Sequence, residues 1–174
     1  PVLGADEKAS FGHPMPTLGK RFDRPRLHRS KTRRSPNSRR MAAVTTDRVV
    51  QLFDEHGERK DKFSTKPAQP DGVKNFVVRG MAFSPDSAKL AIAQSDNIVF
   101  VYKLGLDWGD KKSICNKFLQ SKPVTALTWP QRRHNEVVFG LTEGKVKVGQ
   151  LKTNKATTLY AHPDGAYVVA LASS

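Results

Sequence analysis

The sequence contains very little of what stabilises secreted or membrane proteins. Only one of its 174 residues is a cysteine, Cys115, which excludes an internal disulfide framework and a zinc site built on cysteine pairs. The longest uninterrupted apolar run, 166–172, is far shorter than the ~20 residues that a membrane-spanning helix needs. No asparagine is followed two places later by serine or threonine, so an N-glycosylation acceptor is absent. These absences predict a soluble, intracellular chain.

Sequence motifs for catalysis and cofactor binding are also missing. The chain has no Gly-x-Gly-x-x-Gly, no His-Glu-x-x-His and no Gly-x-Ser-x-Gly, and Gly144-Lys145 is followed by valine rather than by the Ser or Thr of a phosphate loop. The five histidines are dispersed without metal-ligand spacing. His56 lies in the segment DEHGERK, which favours a hairpin turn over a catalytic base. We therefore expect no enzymatic activity, no cofactor and no metal site.

A basic excess is concentrated at the start of the chain. The first 40 residues hold 11 lysines and arginines against three acidic residues, so they carry +8 of the net charge of +14. They also contain five of the 11 prolines. High charge and few apolar residues leave little to offset the entropy that folding costs. We expect residues 1–34 to be a disordered basic arm, with three alternatives open: an electrostatic tether for RNA, lipid or acidic proteins, an organellar targeting segment, and a segment foreign to the native domain.

The rest of the chain is organised by an internal repeat. Residues 35–47 (SPNSRRMAAVTTD) align without a gap with residues 84–96 (SPDSAKLAIAQSD), at an offset of 49. The alignment continues through the apolar runs 48–53 and 97–102. A third, looser copy begins at Trp129, and its second half matches the second copy at an offset of 47. Repeats of this length indicate a stacked or radial architecture.

Each copy has the composition of short hairpin strands. A Ser-Pro turn is followed by an apolar run, an acidic turn and a second apolar run. The runs are apolar throughout rather than alternating, so each sheet should be covered on both faces by neighbouring sheets. Four strands in ~45 residues predict the blade of a β-propeller, and hence an all-β fold.

The repeat count predicts a partial propeller of about three blades. Blade remnants are expected at 35–67, 76–120 and 124–160, and a fourth blade only begins within 166–174, with 166–171 as its first strand. The first blade is expected to lack its inner strand, because the segment before Ser35, RSKTRR, cannot line a buried edge. Closed propellers have ~4–8 blades. We therefore interpret the chain as a fragment or a misassembled gene product.

Two segments are specific enough to indicate a family. Residues 46–67 (TDRVVQLFDEHGERKDKFSTKP) and 80–118, which include MAFSPDS and DWGDKKSICNKF, closely resemble the intraflagellar transport protein 172 family. The similarity extends over residues 35–174. In that family the matching segment opens a WD40 propeller region, which a helical solenoid follows. The resemblance implies a non-enzymatic WD40 scaffold of the intraflagellar transport B complex, acting in cilium assembly and ciliary cargo transport, at the cilium or flagellum, the ciliary base and the cytoplasm.

A partner-binding surface is predicted in the loop that follows the second apolar run of the second copy. Trp108 lies in this loop and is a candidate anchor, with Lys111 and Lys112 as positive neighbours; the alternative is that the tryptophan only covers a blade edge. The predicted partners are the other subunits of the B complex. Acidic tubulin tails and anionic lipid are further candidates for the positive loops, which a solvated surface explains equally well.

Three other residues are expected to have structural roles. Cys115 lies in a predicted strand, 114–119, where we expect a small core residue rather than a reactive thiol. Trp129 ends an inner strand and should be packed. His162, in the sequence YAHPDG, resembles the Gly-His dipeptide that opens many WD40 blades, and should order its blade through hydrogen bonds.

Two competing hypotheses stay open at the level of sequence. A basic-arm RNA-binding or organellar protein that carries a propeller fragment predicts salt-dependent RNA binding, lost on deletion of residues 1–34. A product that never folds stably predicts a broad, non-cooperative melt with exposed apolar surface.

Overall fold

Three antiparallel sheets account for all the regular structure in the described part of the chain. A computed structural model describes residues 31–71 and 75–172, and within them it contains β-strands and no helix. Each sheet is a four-stranded meander in chain order. The strands are β1 (Lys31–Arg34), β2 (Met41–Val44), β3 (Val49–Phe53) and β4 (Arg59–Ser64) in the first sheet, β5 (Val78–Phe83), β6 (Lys89–Gln94), β7 (Ile98–Lys103) and β8 (Ser113–Leu119) in the second, and β9 (Val124–Thr128), β10 (Glu136–Leu141), β11 (Lys145–Gln150) and β12 (Lys155–Ala161) in the third.

The first strands of the three sheets lie side by side. β1 contacts β5, and β5 contacts β9. Arg33 Nε donates a hydrogen bond to the Met81 carbonyl at 3.1 Å, while Lys31 and Arg79 line the same small cavity. β1 and β5 therefore run in the same direction, so the sheets are arranged radially around their inner strands. This is the blade arrangement that the repeat predicts.

Two apolar cores lie between neighbouring blades. Alternate residues of β6 point to opposite faces of the second sheet. Leu90 and Ile92, both fully buried, belong to the core that the second sheet shares with the first. Ala91 and Ala93, also fully buried, belong to the core shared with the third sheet, where Phe139 is the largest fully buried side chain. The prediction that both faces of a blade are covered is confirmed for this middle sheet.

The repeat is reproduced in the backbone. The turns β2–β3, β6–β7 and β10–β11 each end with a residue in the left-handed region, with φ of 65° at Arg48, 69° at Asn97 and 78° at Gly144. These positions are separated by the same offsets, 49 and 47, as the sequence copies. The carbonyl of each accepts a hydrogen bond from the residue that follows the outer strand of its own sheet: Thr65 N, Gln120 N and His162 N, at 3.0, 2.7 and 3.1 Å. The same turn conformation therefore holds the outer strand in all three blades.

The predicted absence of an inner strand in the first blade is wrong. Lys31–Arg34 forms β1, and all four residues pair with β2, from Lys31 opposite Val44 to Arg34 opposite Met41. The reason is that strand pairing uses backbone groups only, and the four side chains stay exposed instead of lining a buried edge. The rest of the predicted arm, residues 1–30, lies outside the described residues.

The predicted opening strand of a fourth blade is also not observed. Residues 166–171 have no strand pairing, although they lie against the third sheet. The side chain of Val168 occupies the space where a Cβ on Gly140 would lie. A strand needs hydrogen-bonding partners along one edge, and the described residues supply none to this segment.

The meander gives every blade the same two ends. One end carries the turns and loops β1–β2, β3–β4, β5–β6 and β7–β8, and it includes Trp108; we call it the Trp108 end. The other end carries the turns β2–β3 and β6–β7 and the connections β4–β5 and β8–β9; we call it the Arg48 end.

Candidate protein-interaction surface

The β7–β8 loop, residues 104–112, is built around a single carboxylate. Asp110 Oδ2 accepts hydrogen bonds from the backbone amides of Leu106 and Asp107, at 2.9 and 3.0 Å. Gly105 has a φ of 83°, and a Cβ at this position would overlap the Asp110 side chain. Glycine is therefore required at 105 for both the left-handed backbone and the close approach of Asp110.

Arg40, in the β1–β2 turn of the first sheet, clamps this loop from the neighbouring blade. Its guanidinium carbon lies 4.9 Å from the centre of the Trp108 ring. Its Nη1 and Nη2 donate hydrogen bonds to the carbonyls of Gly105 and Leu106, at 3.0 and 2.6 Å. A planar guanidinium satisfies both requirements at once, because it can stack on an aromatic face while its N–H groups donate in the plane.

Lys112 fastens the other side of the loop. Its Nζ donates to the Asp61 carboxylate on β4 of the first sheet, and to the carbonyls of Trp108 and Asp110 at 2.7 and 2.6 Å. The Lys112 side chain is only 6% exposed. Three acceptors match the three donors of the ammonium group, which offsets the cost of removing it from water.

The three contact residues predicted from the sequence therefore differ in how accessible their side chains are to a partner protein. Trp108 is half-buried under Arg40 and packs against the core between the first two sheets. The ammonium group of Lys112 forms an ion pair with Asp61. Lys111 is exposed and makes no hydrogen bond or ion pair within the described part of the chain. Whether any of the three binds a partner stays a prediction.

Leu106 is the residue that sequence reasoning missed. It is 90% exposed, the highest exposure among the large apolar side chains of the described residues. Its backbone is held on both sides, since its N–H donates to Asp110 and its carbonyl accepts from Arg40. A rigidly held, exposed leucine is suited to insertion into an apolar pocket, because little conformational entropy is lost on binding. The available signal was an apolar residue between Gly105 and Asp107, at a position where glycine predicts a turn.

The expectation that Cys115 is a core residue is wrong. Cys115 lies on the outer strand β8 and is exposed, although its Sγ donates to the Val101 carbonyl at 3.3 Å. Partial burial raises the pKa of the thiol above its ordinary value. Cys115 is the extra residue of a β-bulge: Val101 pairs with Asn116 and Tyr102 with Ile114, so residue 115 has no residue opposite it on β7.

The structural roles predicted for Trp129 and His56 are confirmed, whereas the role of His162 in ordering a blade stays a prediction. Trp129 is 3% exposed, and its Nε1 donates to the Arg133 carbonyl at 3.2 Å. His162 orders its turn: its Nδ1 accepts from the Asp164 amide at 3.2 Å. His56 lies in the β3–β4 turn, where its amide donates to Asp54 at 3.0 Å.

The described residues offer few other candidate sites. No group of three or more His, Cys, Asp or Glu side chains there is placed to hold a metal ion. None of the described segments is a helix that could cross a membrane. Lys145 and Lys147, expected in a positive loop, lie on β11; Lys145 pairs with Glu143 at 3.2 Å, and Lys147 donates to the neutral side chain of Gln120 at 3.0 Å.

Comparison with known proteins supports one family. No protein-family model matches the chain. Intraflagellar transport protein 172 of Chlamydomonas reinhardtii is 63% identical over 142 residues, which are 80% of this chain. The mouse homologue is 57% identical over 141 residues, and the Caenorhabditis elegans protein osm-1 is 48% identical over 127 residues. The predicted resemblance to intraflagellar transport protein 172 is confirmed.

The matched region is a small part of those relatives. The chain spans 8% of the length of the Chlamydomonas and mouse intraflagellar transport proteins 172, and 7% of osm-1. Among solved structures, that of U3-55K superposes with a TM-score of 0.63 over 80% of this chain and 40% of its own, at 18% identity. At that identity the likeness concerns the fold alone. Together with the three radial sheets, it confirms the predicted all-β WD40-type propeller architecture.

Proposed function

We propose that this chain acts as a non-enzymatic docking platform in intraflagellar transport, within cilium assembly and ciliary cargo transport. The observation that carries the proposal is its 63% identity to an intraflagellar transport protein over four fifths of its length. Its site of action is then the cilium or flagellum and the ciliary base, and its partners are other subunits of the intraflagellar transport B complex. The docking element is the β7–β8 loop, which presents Leu106 on a frame fixed by Asp110 and Arg40.

A segment exchange tests the transport role. Residues 31–172 replace the matching segment of intraflagellar transport protein 172 in a Chlamydomonas reinhardtii strain that lacks its own copy. Restoration of flagella is expected, because a propeller of the same architecture and 63% identity should offer the same contacts. Cells that stay without flagella although the chimera accumulates to normal amounts would contradict the proposal.

A matched pair of variants tests the loop in the same chimera. Leu106→Asp should lower the recovery of the other B-complex subunits with the chimera, since a charge cannot enter an apolar pocket. Leu159→Asp is the control, because Leu159 is also an exposed leucine, 66% exposed, but lies on the outer strand β12 of the third sheet. Equal recovery with both variants would show that Leu106 is not an anchor.

Acidic tubulin tails and anionic lipid are secondary candidate partners. The feature that favours an acidic surface is Lys111, an exposed cation in the same loop as Leu106 with no described ion-pair partner. Sedimentation with microtubules, with and without their acidic tails, and with phosphatidylserine vesicles separates the two. Lys111→Glu should weaken whichever binding occurs, whereas Lys155→Glu, an exposed lysine on the outer strand β12, should weaken it less.

A further inference from the structure

At the Arg48 end, Arg48 itself has a backbone conformation that is unfavourable for arginine. Arg48 takes a φ of 65° at the turn position that Asn97 and Gly144 occupy in the other two blades. Asparagine and glycine adopt the left-handed region readily, whereas other L-residues adopt it at a cost of about 1 kcal/mol. The turn requires this backbone in all three blades, since each of the three carbonyls holds the outer strand. The backbone therefore accounts for Asn97 and Gly144, but the arginine side chain needs another explanation.

Within the described residues the Arg48 guanidinium forms no salt bridge, although its charge attracts the adjacent carboxylate of Asp47. It lies 5.3 Å from the centre of the Phe76 ring, and no salt bridge or hydrogen bond joins it to another side chain of residues 31–71 or 75–172. The adjacent carboxylate is already engaged: Asp47 accepts from the Thr45 hydroxyl and from the Val49 amide, the latter at 3.2 Å. These two bonds, the hydroxyl's first, hold the pKa of Asp47 below its ordinary value. A guanidinium has five N–H donors, and a partner with acceptor oxygens would use them.

Two adjoining cavities between the first and second sheets share Arg48 in their walls. The larger has a volume of about 590 Å³ and is bounded by Lys66, in the connection that follows β4, and by Lys117 on β8. The smaller, of about 340 Å³, is bounded by Lys31 and Arg79 at the start of the inner strands, with the hydroxyls of Thr45 and Thr46 beside them. Five cationic residues thus line the pair of cavities, and Asp47 is the only acidic residue among the described lining residues. The electrostatic character is that of an anion site.

The floor of the larger cavity is apolar. Phe76, Phe100 and Ile114 line it below the three cations. Both phenylalanines are 2% exposed, so their ring faces are not open for the base stacking that single-stranded nucleic acid uses. A cavity with cations at its rim and apolar side chains at its floor fits a carboxylate next to an apolar side chain, which is the chemistry of an acidic peptide. Its volume lies within the range of ~300–1,000 Å³ that is typical of specific ligand pockets.

We propose that Arg48 anchors a second docking site, which binds a short acidic peptide segment between the first and second blades. The peptide carboxylate pairs with the Arg48 guanidinium, Lys66 and Lys117 add attraction at the rim, and a neighbouring apolar side chain packs against Ile114, the floor residue that is only partly buried. The site lies at the opposite end of the blades from Trp108 and Leu106. It goes beyond the proposed function, because it does not depend on the β7–β8 loop.

Peptide selection on the full 174-residue chain tests this site. The probe is a phage library of random 12-residue peptides, and the expected result is enrichment of sequences that combine Asp or Glu with Leu, Ile or Phe. Synthetic copies of the enriched peptides, labelled with fluorescein, should bind at least tenfold more weakly to Arg48→Asn than to the parent. Asparagine is the matched substitution, since Asn97 already occupies the equivalent turn with the same backbone.

Two further variants keep the test decisive. Arg132→Asn removes the same charge from the exposed β9–β10 turn and should leave binding unchanged. Lys117→Glu reverses an exposed charge at the rim and should weaken binding even if Arg48→Asn perturbs folding. Failure to enrich peptides that combine acidic and apolar residues overturns the proposal. Equal binding of the peptides to the parent, to Arg48→Asn and to Lys117→Glu also overturns it. RNA binding lost in Arg48→Asn without any peptide binding would also overturn it. None of these results bears on the flagellar exchange or on Leu106→Asp, so the two proposals fail separately.

Discussion

The Arg40 guanidinium lies 4.9 Å from the centre of the Trp108 ring, and this pair joins a turn of the first blade to the long loop of the second. The same guanidinium donates to two consecutive carbonyls of the loop, those of Gly105 and Leu106. The position of the exposed Leu106 is therefore set by a neighbouring blade as well as by its own. Contacts between blades thus determine what the surface presents.

Removing Arg40 should loosen the loop and destabilise the fold. Arg40→Ala loses a cation–π contact and two hydrogen bonds from a charged donor, which together are worth about 1–2 kcal/mol in the free energy of unfolding. Urea denaturation measures the change, and hydrogen exchange should show faster exchange of the Leu106 and Asp107 amides. Arg39→Ala is the control, because the Arg39 side chain is exposed in the same turn. Equal effects of the two substitutions would refute the clamp.

The Asp61–Lys112 pair should show strong coupling. Asp61→Asn leaves the ammonium of Lys112, 6% exposed, without its anion, and should cost about 2 kcal/mol or more. The double variant Asp61→Asn with Lys112→Met should recover part of this loss, because no buried charge is left unpaired. A double-mutant cycle on the free energy of unfolding measures the coupling. Strictly additive effects would mean that the pair does not interact in solution.

The repeated left-handed turn gives a prediction about Asn97. Asn97→Gly should be close to neutral, whereas Asn97→Ala should destabilise the protein by about 1 kcal/mol, since alanine pays the steric cost of positive φ. Thermal melting of both variants provides the comparison. Alanine melting at the same temperature as glycine would show that the turn adopts another conformation.

Much of the fold could be predicted from local patterns. Residues 35–47 and 84–96 match in sequence, and the structure repeats their turns at Ser38 and Ser87, with φ of 60° and 59°. Turn chemistry and apolar runs are local signals, so they predict strands that pair with their sequence neighbours. β1 escaped prediction for the complementary reason. Its residues, KTRR, have no apolar signal, and the strand exists because the exposed edge of β2 offers backbone partners.

The candidate surface could be predicted only in part. Trp108 and the two lysines were identified by residue type. Residue type does not show that the ammonium of Lys112 is paired with Asp61, a residue 51 positions away. Nor does it show that Leu106 is displayed rather than buried. Both facts depend on how the first and second blades meet. Cys115 was misplaced for a different reason, since the apolar pattern carries no signal for the β-bulge that leaves residue 115 unpaired between β7 and β8.

Acidification should reveal the contribution of Glu136 to stability. Its carboxylate accepts hydrogen bonds from Arg133 at 2.8 Å and Gln150 at 2.9 Å, and these, the arginine's first, hold its pKa below the ordinary value of 4.5. A carboxyl group with a lowered pKa in the folded state binds fewer protons there than in the unfolded state. Its stabilising effect is therefore complete above pH 4.5 and is lost as the pH falls through the lowered pKa.

The corresponding measurement is the melting temperature between about pH 6 and about pH 3. The parent should lose stability more steeply than Glu136→Gln across the acid side of this range, because the amide cannot be protonated there. Glu55→Gln is the matched control, since Glu55 is exposed and accepts no hydrogen bond from the described residues. Curves for the parent and Glu136→Gln that run parallel down to the lowest pH would mean that the Arg133 and Gln150 contacts do not persist in solution. A difference that appears only for Glu136→Gln would place the strand pair β10–β11 among the elements whose pairing acid weakens.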